Sequence, residues 1–242
     1  MQPKLGILSG NNFQVFPNMI KRTLTQSDYF LIAANLLPVA GALFFNWNAK
    51  EIFLVYCLET IIIGILNLVK MGIVTAVRKT DTWYSQGRST KQSGFLFMFF
   101  FLMHYGIFVA VQMGIFFGAS GIGDGTNITL FNFFYKWPQL ITSDSIIMLA
   151  AFAISYGFKM IYDFTRSGEY KTIPMMLLMF QPYGRIFIQQ FAVIIGSIFL
   201  SFGAGKIFII VFAGVKIFFE VYIDFDSILE KAMTGVKKES GK

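Results

Sequence analysis

Residues 93–118 read SGFLFMFFFLMHYGIFVAVQMGIFFG. The run contains no Asp, Glu, Lys or Arg. Its one basic side chain is His104. As an α-helix rising about 1.5 Å per residue it exceeds the roughly twenty residues that cross a hydrocarbon core about 30 Å thick. A helix packed on a soluble core keeps a polar face, and this one has none. The stretch reads as a transmembrane span.

Five more segments of similar character flank it. They run roughly over 27–46, 51–77, 144–164, 185–202 and 206–225. Together the six predict an all-α fold, a polytopic transmembrane helical bundle with short interfacial helices. The whole chain, 1–242, is expected to form one membrane domain, with 226–242 as a cytoplasmic tail. Composition agrees. Of 242 residues, 55% are hydrophobic and 14% charged, with 30 phenylalanines, whereas soluble domains carry about 25% charged residues. The start, Met1 to Met19, lacks the apolar core of a signal peptide, so the first span is expected to be retained.

Net charge is +7, but the basic residues fall mostly in loops and ends. With a cytoplasmic N-terminus the inner segments hold Lys4, Lys21, Arg22, Arg78, Lys79, Arg88, Lys91, Arg166, Lys171, Arg185, Lys231, Lys237, Lys238 and Lys242. The outer ones hold only Lys50, Lys136 and Lys206. This bias puts both termini in the cytoplasm. An even number of spans does the same. The expected partner is therefore the lipid bilayer rather than nucleic acid.

Two loops carry more than a connection. The outer one, 119–143, starts with glycines too isolated to form a nucleotide motif. It continues through Phe131, Phe133, Phe134, Tyr135 and Trp137, aromatics suited to a short interfacial helix. The inner one holds Met175 to Phe180 between Pro174 and Pro182. That piece is too short to span and reads as an interfacial or re-entrant helix.

Small residues recur every fourth position at Gly106, Ala110, Gly114 and Gly118. Such a stripe lets helices approach closely in lipid. It reads as a packing seam within the bundle, with a homodimer or membrane-partner interface as the rival.

Ionisable groups at mid-membrane cost several kcal/mol unless paired or hydrated. Counted from the outer ends, Glu59 lies about 12 Å deep and Lys216 about 15 Å, with His104 comparable. Three such groups on three helices predict one interior site. Asn67, Lys70, Gln112, Glu220 and Arg185 extend it as a candidate ligand or ion pathway. A purely structural ion pair is the competing reading, with Lys70 and Lys159 snorkelling inward.

Chemistry is sparse. One cysteine, Cys57, and one histidine exclude a disulfide and a multi-histidine metal site within the chain. No metal or other cofactor is expected. Cys57 is two residues from Glu59 and points elsewhere. Neither a serine elbow nor a zinc helix is present. A catalytic role is not expected. A small transporter or channel-like protein competes with a structural or partner-binding membrane subunit.

Leu37-Pro38-Val39, Gly41 and Trp47 are followed by Tyr56-Cys57-Leu58-Glu59, Ile63-Gly64, Asn67 and Lys70-Met71. His104-Tyr105-Gly106, Pro182-Tyr183-Gly184-Arg185, Lys216 and Asp224 come later. This pattern, over roughly 28–226, resembles an uncharacterised bacterial and archaeal multi-pass membrane family, domain-of-unknown-function family 6498. The resemblance implies a location in the cytoplasmic (inner) membrane and no particular activity. In the family pattern histidines often stand where this chain has Gln112 and Gln189 or Gln190. Their absence weakens any metal or haem reading.

Overall fold

A computed structural model describes residues 23–85, 88–129, 131–223, 228–229 and 231. Most of the expected tail lies outside the described residues.

The first helix, α1 (Gln26–Phe44), starts on a capping box. The Thr25 hydroxyl accepts from the Asp28 amide, and the Asp28 carboxylate accepts from the Thr25 amide, satisfying two otherwise orphaned N–H groups. Helix α2 (Ala49–Arg78) is capped by Asn48. It is the centre of the bundle, ringed by α3 (Gly94–Ser120), α5 (Ser143–Lys159), α6 (Met175–Phe180), α7 (Tyr183–Ser201) and α8 (Gly205–Ile217). α1 packs outside α2, against α5 and α8.

Two helices end in wider π turns. α5 continues through Met160–Arg166, and α8 through Phe218–Tyr222. A short α4 (Phe133–Lys136) and the 3-10 turn Trp137–Leu140 stand where the aromatic loop helix was expected.

Among the described residues, five helical stretches are long and apolar enough to cross a membrane. The sixth, 205–222, is shorter and carries Lys206, Lys216 and Glu220. The outward faces are apolar, with Phe95, Ile107, Ile154 and Ile207 all exposed. A surface of that kind suits acyl chains.

Three features differ from the sequence expectation. The loop after α2 is an antiparallel hairpin, β1 (Thr80–Ser85) with β2 (Arg88–Ser93), paired Thr80↔Ser93 through Ser85↔Arg88. Its strands are polar, so no hydrophobic alternation announces them. The remaining signal is the two-residue Gln86-Gly87 link. Trp83 anchors the hairpin on Phe97 and Phe100, with ring centroids 5.2 and 5.4 Å apart.

Secondly, α6 is packed inside rather than lying on a surface. Met175, Leu178 and Met179 are buried, and Asp81 caps the helix by accepting from the Met175 amide at 2.8 Å. Thirdly, the small face of α3 is not a seam within the chain. Gly106 and Ala110 are exposed, and a Cβ at Gly106 or Gly118 meets nothing within 4 Å.

Candidate functional site

Glu59 projects from the middle of α2 and is fully buried. Lys216 of α8 is also buried and forms an ion pair with it, its ammonium donating to both carboxylate oxygens. Counting from Ala49 and Gly205, both lie about 15 Å along their helices from the N-terminal ends. One turn further along α8, in the π segment, Glu220 approaches the same ammonium at 3.9 Å.

Tyr156 of α5 joins the two carboxylates. Its hydroxyl contacts Glu59 Oε1 and lies 3.2 and 3.1 Å from the Glu220 oxygens. Aromatic faces close the remaining sides. The Lys216 ammonium sits 4.4 Å from the Phe152 ring centroid and 5.2 Å from that of Tyr56, and both faces favour a cation. Arg185 lies with its guanidinium 5.3 Å from the Tyr156 ring centroid. A small void of about 10 Å³ is bounded by Arg185, Ile188, Gln189, Phe212, Lys216 and Glu220. It is at the lower limit for one water.

The structure thus brings together Glu59, Lys216, Glu220 and Arg185. It separates the other candidates. His104 faces outward from α3, where Nδ1 is 2.7 Å from the Tyr183 hydroxyl. Phe100 stacks on one side of its ring and Phe108 meets it edge-on. Position along the helix was legible from residue counting, but the direction of the ring was not.

Asn67 donates to the Leu178 carbonyl at 3.1 Å and holds α6 against α2. Lys70 is half-buried with its ammonium 5.2 Å from the Phe164 ring centroid. Gln112 is fully buried beside Cys57, with neither amide atom in full hydrogen-bond geometry. Gln189 donates to the Tyr56 carbonyl, and Gln190 to that of Phe108 at 2.8 Å.

Sequence reading missed Tyr156 and Phe152, which pass for ordinary aromatics in an aromatic-rich chain, and took Tyr56 only as part of a family motif. It also missed a second charged group, at the C-terminal end of α5. Lys159 does not simply snorkel. It reaches the fully buried Asp28 at 3.4 Å and Asp163 at 3.5 Å, and Ser27 donates to Asp163 at 2.7 Å. Lys159 and Asp163 at i, i+4 carried a signal for half of it. Among the described residues no cluster of three metal-binding side chains occurs.

The family of unknown function DUF6498 matches residues 19–238. The chain belongs to that family. Among curated proteins, and among solved structures, none matches the chain. Membership brings no activity with it, so the site must be read from its own geometry.

Proposed function

We propose that this DUF6498 protein is a small proton-linked transporter of the bacterial or archaeal cytoplasmic membrane, with both termini cytoplasmic. The observation that carries the reading is the single Tyr156 hydroxyl between two carboxylates. A phenol donates one proton. If it donates to Glu59, the contact with Glu220 is complete only when Glu220 carries a proton of its own. The contact therefore has room for one exchangeable proton.

Two further points support it. Replacing a buried ion pair by apolar residues is often neutral or stabilising, so a network of this size gains little as a mere staple. Lys159 follows Tyr156 by three residues on α5, and Asp163, in the π segment beyond it, pairs with Lys159 at 3.5 Å, so polar groups continue from Tyr156 toward the inner end. That ladder is the kind of relay a proton needs.

Purified protein in liposomes should dissipate an imposed pH gradient faster than protein-free vesicles. Glu220→Gln and Tyr156→Phe should slow that decay. Infrared difference spectra on a pH jump should show a carboxyl C=O band that is lost in Glu220→Gln. Wild-type vesicles as tight as empty ones, with no such band, would defeat the reading.

A second reading has its own observation. Glu59 is fully buried and the adjoining void is minimal, as in a polar lock that fixes helix register in a structural subunit. The exposed stripe Gly106, Ala110 and Gly114 would then meet a second copy or another membrane partner. Unchanged pH-gradient decay in the double variant Glu59→Gln/Lys216→Met favours this reading.

A further inference from the structure

The hairpin between α2 and α3 carries charge that the interior network does not use. Both helices are long enough to cross a membrane, so their junction stands at one membrane surface. Two anchors fix the hairpin there. Trp83 packs on Phe97 and Phe100, which lie about 4.5 and 9 Å along α3 from Gly94. Asp81 accepts from the Met175 amide and pairs with Arg78 at 3.0 Å. The hairpin is thus folded back over the first turns of α3 and does not stand off the bundle.

On those turns Phe95 and Phe99 are exposed, a surface suited to acyl chains. The hairpin therefore lies where acyl chains give way to headgroups, the level at which tryptophan is enriched. Three cations stand on it, Lys79, Arg88 and Lys91, all exposed. Among the described residues none of the three forms an ion pair. The hairpin's own carboxylate, Asp81, is engaged with Arg78 and with the Met175 and Thr82 amides. Lys91 stands opposite Thr82, on the face turned away from Trp83, with Ser89 and Ser93 to either side of it. Hydroxyls thus flank its ammonium. The chain enters the hairpin through Lys79 at φ 60°, a left-handed conformation that glycine takes at lower cost. What lysine supplies at that bend is a charge.

We infer that this hairpin is a docking surface for anionic phospholipid headgroups of the protein's own bilayer, whose phosphates meet Lys79, Arg88 and Lys91 and the hydroxyls beside Lys91. Ammonium and guanidinium groups make charge-assisted hydrogen bonds to phosphate. A cation next to an anionic membrane surface strengthens binding about five-fold. Arg88 and Lys91 are about 10 Å apart along β2, so the surface spans more than one headgroup. A zwitterionic headgroup brings its own ammonium to the same cations and gains little. A soluble acidic partner has to reach a hairpin laid against the bilayer, whereas headgroups already surround it. The inference goes beyond the transporter reading and uses no residue of the Glu59 network.

The test is native mass spectrometry of the full chain in detergent, titrated with phosphatidylglycerol and, separately, with phosphatidylcholine. Wild type should bind phosphatidylglycerol about ten-fold more tightly or better. Arg88→Gln/Lys91→Gln should lose most of that preference, at about five-fold per cation, with phosphatidylcholine binding unchanged. Lys79→Gly removes one charge while relieving the left-handed bend. It should weaken phosphatidylglycerol binding about five-fold with the fold intact or steadier, which separates loss of charge from loss of structure. The control is Arg166→Gln/Lys171→Gln. It removes two exposed cations that lie over tyrosine rings at and beyond the end of α5, and should leave the preference within about two-fold of wild type.

Equal binding of the two lipids by wild type, or equal losses in the hairpin and control double variants, means diffuse attraction to any surface cation and overturns the inference. Inorganic phosphate that displaces the lipid marks a free-anion site and overturns it as well. The pH-gradient assay tests the transporter reading separately. Absence of a lipid preference with proton movement intact defeats the hairpin inference alone.

Discussion

Helices α2 and α3 are near twins in sequence and opposites in the fold. Both are long and strongly apolar, and each carries ionisable residues within its length, Glu59 and Lys70 on α2 and His104 on α3. Yet 67% of the most apolar window of α2 is buried inside the protein, against 22% for α3. α2 has helices on every side, so Glu59 is surrounded by an ammonium, a phenol and aromatic rings. α3 packs on α2, α6 and α7 and turns the rest of its surface, His104 included, outward. Hydropathy sets whether a helix belongs in lipid. Neighbours decide whether its polar residue becomes part of an interior network.

The sharpest way to break the comparison is to neutralise each partner in turn. Glu59→Gln or Lys216→Met should each cost roughly 3–5 kcal/mol, because either leaves an uncompensated charge in the interior. The double variant should recover most of that loss. Thermal or denaturant unfolding in detergent measures both. Equal, small losses in all three would mean that the pair is hydrated.

Glycines give a second, smaller contrast. A Cβ at Gly64 on α2 would sit 2.6 Å from the Tyr105 ring. That ring is held by a 2.9 Å bond from its hydroxyl to the Thr60 carbonyl. Gly64→Ala should therefore cost about 1–3 kcal/mol by overpacking. Gly106→Ala on α3 meets open space and should cost nothing, or stabilise slightly through helix propensity. Unfolding in the same detergent checks the pair. A large loss at Gly106 would instead reveal a close partner on that stripe.

His104→Leu should be milder than either change at Glu59. It removes one hydrogen bond to Tyr183, worth about 0.5–1.5 kcal/mol. The same unfolding measurement separates it from the network residues. Finally, Cys57 is fully buried beside Gln112. A bilayer-permeant maleimide should leave it unlabelled in the folded protein, yet label a Cys introduced as His104→Cys in a Cys57→Ala background. Fast labelling of Cys57 would show that the centre of α2 opens.

Much of the architecture was readable in one dimension. Span-length apolar runs, and the positions of Glu59, His104 and Lys216 along their helices, depend on local pattern and on a fixed rise per residue. The Lys216–Glu220 pair was readable too, since one turn separates them. The hairpin was hidden because its strands lack an apolar face. Tyr156 was hidden because nothing local distinguishes a phenol between two carboxylates from the other tyrosines.

By itself, then, the sequence determined that hydrocarbon-length helices form, roughly where they start and stop, and how far along its helix each polar side chain lies. Only the tertiary structure decided which way each side chain points. It turned Glu59, Tyr156, Lys216, Glu220 and Arg185 toward one another, drew Lys159 to Asp28, and left His104 and the Gly106 stripe facing out. The physical reason is that depth along a helix follows from residue count. The azimuth of a face acquires meaning only when other helices pack around it, and in an apolar solvent hydrophobic periodicity no longer marks the inside.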